Sequence, residues 1–360
     1  MNKTTITYIF ATVALASIDA WADTETVDGI EWNYTVSGGK AAIYKGRNSS
    51  AIPTSTTGAI TMPSTLGGYP VTSIGSFAFY DCSSLTNVVF CSSVVSIGDS
   101  AFCGCSGLMS VMIPNSVTSI GDSVFNYCNG LTNVVLGSSV TNIGYHAFCN
   151  CRGLTSVTIP NSVETIGNFV FERSGLTSAT IPDSMTSIGG GMFFQCKRLT
   201  RVTIGSSVAS IGSSTFDGCS GLTNITIPDS VTSIGTYAFN GCSGLTNVTI
   251  GIGVTNIGYG AFWGCSGLTD VTIPDNVTSI GGSAFRGCSR LTSMTIPNSV
   301  TDIGNDVFAP ARMKIMHMSM MLVSPMLRAK SSAFSAVPVF RSMSSAVAEA
   351  TRNATGMGTL

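Results

Sequence analysis

The stretch LTDVTIPDNVTSIGGSAFRGCSR, Leu268 to Arg290, decides the architecture, because variants of this phrase recur ten times through the middle of the chain. The lead leucines are Leu85, Leu108, Leu131, Leu154, Leu176, Leu199, Leu222, Leu245, Leu268 and Leu291, spaced by 23 residues at every step except the 22 from Leu154 to Leu176. Self-similarity at a fixed short period means a solenoid, in which each unit buries its apolar side only by stacking on its neighbours. The apolar positions of the quoted unit, Leu268, Val271, Ile273, Val277, Ile280, Ala284, Phe285 and Cys288, are therefore read as an interior ladder.

Leu268, Val271 and Ile273 give the L-x-x-V-x-I spacing of a short strand in a leucine-rich repeat, whose outward residues line one face of a stacked parallel sheet. Proline follows the strand in several copies, as at Pro228 and Pro274, and ends it because it has no N–H for the ladder. A glycine follows the second apolar pair in every copy, from Gly98 and Gly121 to Gly304. That recurrence predicts a positive φ at this position, which a side chain would oppose. One phenylalanine per copy, from Phe79 to Phe308, predicts a stacked aromatic spine on the convex side.

The ends break the period. Residues 1–22 read as a secretory signal cut after Ala22, with Lys3, an apolar run from Ile6 to Ile18, and small residues before the cut. That run is too short for a transmembrane segment. Residues 23–56 read as an N-terminal β-hairpin cap, with alternation in Glu31 to Val36, a Gly38-Gly39 turn and a second strand from Lys40. The solenoid then occupies 57–310, as one degenerate unit around Thr57 to Pro63 followed by the ten repeats. Residues 311–360 carry eight methionines, six basic residues and one acidic residue, a composition that predicts a disordered tail.

Composition narrows the function. Charged residues make up only 10%, and 17 basic residues nearly balance 18 acidic ones. A nucleic-acid partner is not expected, because it would require a basic stripe to displace phosphate counterions. Nine of the twelve cysteines, among them Cys82, Cys105 and Cys288, share one repeat position and read as a row of buried thiols. The unit that drops a residue has Arg173-Ser174 in place of that cysteine. The run His146-x-x-Cys149-x-Cys151 has the look of a metal site, but Cys151 belongs to the inward row and no second cluster completes the set. No metal, cofactor, catalytic residue or enzymatic activity is assigned. The partner-binding candidates are the outward strand residues Asn87, Asn133, Arg201, Asn224, Asn247 and Asp270, with the aromatics Tyr259 and Trp263 on the opposite side.

The run L-T-x-V-T-I-P-x-S-V-T-S-I-G-x-x-A-F-x-G-C-S, from about Val71 to Phe308, resembles the BspA-like branch of leucine-rich-repeat surface proteins. The resemblance implies a right-handed, β-rich solenoid of stacked short parallel strands with few helices, secreted or carried on the cell surface. It also implies a protein partner, with adhesion to a host extracellular or surface protein as the specific form. A structural spacer without a ligand, and glycan binding by the threonine-rich sheet face, stand as alternatives.

Overall fold

The computed structural model describes residues 22–46, 49–308 and 315–318. All of the expected signal segment, residues 1–22, except Ala22 lies outside them, as does most of the expected tail. The described chain is a β-solenoid without a helix. Most turns hold two strands, giving two sets of parallel pairings along the array. The longer strand follows the lead leucine: Asn224–Ile227 pairs with Asn247–Ile250 in a register of one repeat, Asn224 opposite Asn247 and Ile227 opposite Ile250. Burial alternates along it, with Ile225 and Ile227 inside and Asn224 and Thr226 outside. A slip of one residue would exchange these faces, so the interior fixes the register. The second strand is only two residues long, as in Ser233–Ile234, which pairs with Ser210–Ile211 and Asn256–Ile257. The sequence showed its apolar residue but not its ladder.

The longer ladder is not continuous. Strands at Leu85–Val89, Ser110–Met112 and Asn133–Val135 form one segment, and Asn224–Ile227, Asn247–Ile250 and Asp270–Val271 another. Thr155 to Thr158, which follows the lead Leu154 where other units have their longer strand, forms no strand. This gap falls within the unit shortened to 22 residues, between Leu154 and Leu176.

The spine is present as expected. The spine phenylalanines, one per turn from Phe79 to Phe308, are at most 1% exposed. Successive rings are 4.7 to 6.0 Å apart between centroids and within 2 to 14° of parallel. The cysteine row is also inside, and its thiols are free. Each of eight donates to the carbonyl of the spine phenylalanine one turn back, for example Cys105 Sγ to Phe79 O at 3.0 Å and Cys288 Sγ to Phe262 O at 3.2 Å. Burial pushes the Cys196 and Cys288 thiols up to about 12. In the shortened unit Ser174 takes the cysteine position, its hydroxyl 3.2 Å from Cys196 Sγ, while Cys196 itself donates to Phe171 O at 2.9 Å.

The recurrent glycine has a different cause from the one expected. None of the set from Gly98 to Gly304 has positive φ. A Cβ on Gly235 would instead lie 2.7 Å from Gly212 C and from Ser213 N, and one on Gly258 would lie 2.7 Å from Gly235 C. Turns approach so closely here that only hydrogen fits. Left-handed backbone falls two residues later, on Ser123, His146, Phe169, Ser214 or Tyr237.

The N-terminal cap has one strand more than the predicted hairpin. β1 (Asp23–Val27), β2 (Ile30–Ser37) and β3 (Lys40–Ile43) form an antiparallel meander. Its turns, Asp28-Gly29 and Gly38-Gly39, have positive φ at both central residues, as tight hairpins favour. β3 pairs in parallel with β6 (Tyr69–Ile74), which carries the meander into the short-strand ladder. Trp32, 1% exposed, meets Phe79 edge-on at 6.1 Å and closes the end of the spine. β4 (Gly58–Thr61) pairs in parallel with Leu85–Val89, adding one strand to the start of the longer ladder. At the other end, Ile315–Met318 pairs in parallel with Ser293–Ile296. The array thus reaches past residue 310, into what composition assigned to the tail. Ser293 faces Ile315, a step of 22, and a count by 23 passes over it.

Two outcomes follow. Gly235→Ala should cost about 1–3 kcal/mol through overpacking. Gly264→Ala, where φ is positive but the nearest atom is 3.6 Å away, should cost about 1 kcal/mol of backbone strain. Denaturant melts would rank the two. A polar maleimide at pH 7 should leave the ladder thiols unmodified in the native protein and label them on unfolding, as mass spectrometry would show.

Candidate functional site

The longer strands put every second side chain outward, so equivalent residues line up in columns along one face. One column runs Val89, Met112, Val135, and continues with Thr180, Thr203, Thr226, Thr249 and Thr272. The change along it is chemical. Val89, Met112 and Val135 are 49%, 68% and 44% exposed, an apolar cluster where the rest of the column offers hydroxyls. Beside it lies the row Asn87, Ser110 and Asn133, in direct register. Together with Phe90 and Pro114 these residues border a shallow concavity of about 340 Å³. A second hollow, along the short-strand ladder from Ser73 to Asn142, is lined by serine, glycine, isoleucine and a few polar residues.

The sequence candidates divide among three places. Asn87 and Asn133 lie in the concavity. Asn224, Asn247 and Asp270 form a second exposed row, each opposite the next, and Arg201 is exposed opposite Ser178. Tyr259 and Trp263 stand off this face, in the turn after Gly258. There Tyr259 meets Tyr237 edge-on at 5.4 Å, Tyr237 lies 6.1 Å from Trp263, and the Arg286 guanidinium sits 5.2 Å over the indole. Trp263 is thus half-covered by its own chain, which reduces what it can offer a partner. The sequence reading passed over Val89, Met112 and Val135 as site residues; the signal was their departure from threonine.

Threonine in the column next to the lead leucine has an internal task. Thr132 Oγ1 donates to Met109 O at 3.0 Å, Thr200 to Thr177 O at 3.0 Å and Thr246 to Thr223 O at 3.1 Å. These hydroxyl protons bind turn to turn and are not available to a ligand.

Another cluster arises on the spine side, where the shortened unit meets the one before it. A ring nitrogen of His146, Cys149 Sγ and a Glu172 carboxylate oxygen lie within 4.8 Å of one another. Burial pushes the Cys149 thiol up to about 12, with the Glu172 charge adding to the rise. Burial also holds the His146 imidazole below its ordinary value, against the opposing pull of Glu172. Among the described residues no helix is long and apolar enough to cross a membrane.

Comparison with known proteins agrees with this geometry. A bacterial leucine-rich-repeat protein of Bacteroides ovatus is 26% identical over 79% of this chain and 91% of its own, with a TM-score of 0.52. A leucine-rich cell-surface protein of Faecalibacterium prausnitzii is 26% identical over 86% of this chain and 98% of its own, at a TM-score of 0.47. The pneumococcal vaccine antigen PcpA shares the fold at 19% identity, over 84% of this chain and 89% of its own, with a TM-score of 0.51. No curated protein matches the chain. The model of the BspA-type leucine-rich-repeat region matches residues 72–200 and 191–315, with six copies, and the chain belongs to that family.

Proposed function

We propose that this protein is an exported or surface-displayed recognition module, and that the outward face of its longer strands binds a protein through the apolar concavity at Val89, Met112 and Val135. The observation that carries the reading is the exposed apolar cluster in a column otherwise made of threonine. Exposed apolar side chains rimmed by polar ones mark interaction surfaces, and the asparagines Asn87 and Asn133 supply hydrogen-bonding groups at the edge of this one. The rows at Arg201 and at Asn224, Asn247 and Asp270 extend the same face. A partner with a flat or convex apolar patch suits it, since 10% charge leaves little long-range steering. Export rests on residues 1–22, and adhesion to a host extracellular protein is the specific form we favour. The role is that of a scaffold for contact, not a catalyst.

The test is binding of the purified chain to a panel of extracellular-matrix proteins and glycans. Met112→Thr installs the residue found in the later turns, so folding is retained while the anchor is removed. We expect saturable binding to one protein and a loss of about tenfold in Met112→Thr, the scale of about 1.4 kcal/mol for a central contact. Equal affinity in the variant would overturn the site. Selective binding to glycans would favour the threonine rows instead, and no binding above an unrelated solenoid would favour a structural spacer.

A further inference from the structure

We propose that His146, Cys149 and Glu172 form a binding site for one transition-metal ion of the zinc class. His146 and Cys149 are brought together by a reverse turn, in which Cys149 N–H donates to His146 O at 3.0 Å and His146 sits in left-handed backbone at φ 55°. The third ligand is invisible to a local reading. Glu172 lies 23 residues beyond Cys149, and stacking sets it on the adjacent turn. Imidazole, thiolate and carboxylate are the three ligand types zinc accepts. Metal–ligand bonds of about 2.0–2.3 Å would set the donor atoms roughly 3.3–3.8 Å apart. The observed spread of up to 4.8 Å closes to this by side-chain rotation, and His146 Nδ1 already stands 3.7 Å from Glu172 Oε2.

Three further features suit a metal better than they suit a surface ion pair. Arg173 Nη1 holds the other carboxylate oxygen, Oε1, at 3.5 Å, leaving Oε2 for the imidazole side. Asn150 Nδ2 donates to Cys149 Sγ at 3.1 Å, the kind of outer contact that steadies a thiolate ligand. Asn126, one turn before Cys149 in the same column, has a buried Oδ1 with no hydrogen-bond partner. It supplies an acceptor beside the cluster for a water on the fourth position of the ion. On binding, the thiol proton leaves to solvent as the metal–sulfur bond forms, and solvent completes a four-ligand shell.

The chain has two histidines, and the other, His317, is far along the sequence, so the site has one unambiguous reporter. Cobalt(II) titrated into the full chain should give a thiolate charge-transfer band and tetrahedral ligand-field bands that saturate at one equivalent. His146→Ser, Cys149→Asn and Glu172→Asn each install the residue that another turn carries there, Ser123 for the first and Asn126 for the other two, which preserves stacking. Each should abolish the bands, and zinc should raise the melting temperature of the parent chain but not of His146→Ser. Arg173→Ala keeps all three ligands and should weaken zinc about tenfold in competition with a chelating dye. Absence of the charge-transfer band in the parent chain, its persistence in Cys149→Asn or His146→Ser, or its loss in Cys103→Asn alone would overturn the assignment.

Discussion

In a parallel stack every side chain has its own equivalent about 4.8 Å above and below it, and the rest of this molecule depends on that. A residue type can fill a column only if it tolerates itself at that distance. Phenylalanine does so by stacking face to face, with rings from 2 to 14° off parallel. Threonine does so by donating to the carbonyl of the previous turn, and cysteine by donating to the phenylalanine carbonyl. Glycine does so by having nothing to clash. A column of lysine or glutamate would stack like charges at the same spacing, which costs energy in each step. The low charge content of 10% follows from the stacking as much as from any choice of partner.

The same constraint explains which parts of the structure could be read in the sequence. Leucine spacing, the phenylalanine spine and the inward cysteines were legible because each is a repeated residue with one dominant physical role. The glycine was legible as a requirement but not as a mechanism, since positive φ and close approach leave the same mark. Only the geometry separates them: Gly258 has ordinary φ, and a Cβ there would lie 2.7 Å from the Gly235 backbone. The short second strand was hidden because two residues, such as Ser233 and Ile234, are too few to alternate. Of the candidate site, Asn87 and Asn133 were found from their outward register. Met112 was passed over, because the outward strand candidates were drawn from polar residues, whereas its signal is a departure from the threonine of its column.

Function in such an array has to come from broken symmetry. Identical turns present a repeating surface with no unique place for a ligand, whereas each departure creates one address. The apolar step at Val89, Met112 and Val135 is one such departure, confined to the first three regular turns. The shortened unit is the other. Between Leu154 and Leu176 the period drops by one, the longer ladder loses a strand at Thr155 to Thr158, and Ser174 replaces the ladder cysteine.

At that seam the column rule no longer excludes unlike groups, because neighbouring turns are no longer equivalent. Asn126, Cys149 and Glu172 succeed one another in a single column, and His146 lies beside them. A carboxylate can sit at 12% side-chain exposure there because Arg173 and His146 flank it with two different partners, which a uniform column could not provide. The lattice that forbids charge ladders elsewhere thus permits one compact, mixed cluster at its only change of step between Leu85 and Leu291. A metal ion bridging His146 and Cys149 on one turn to Glu172 on the next would tie together the two turns between which the longer sheet is broken.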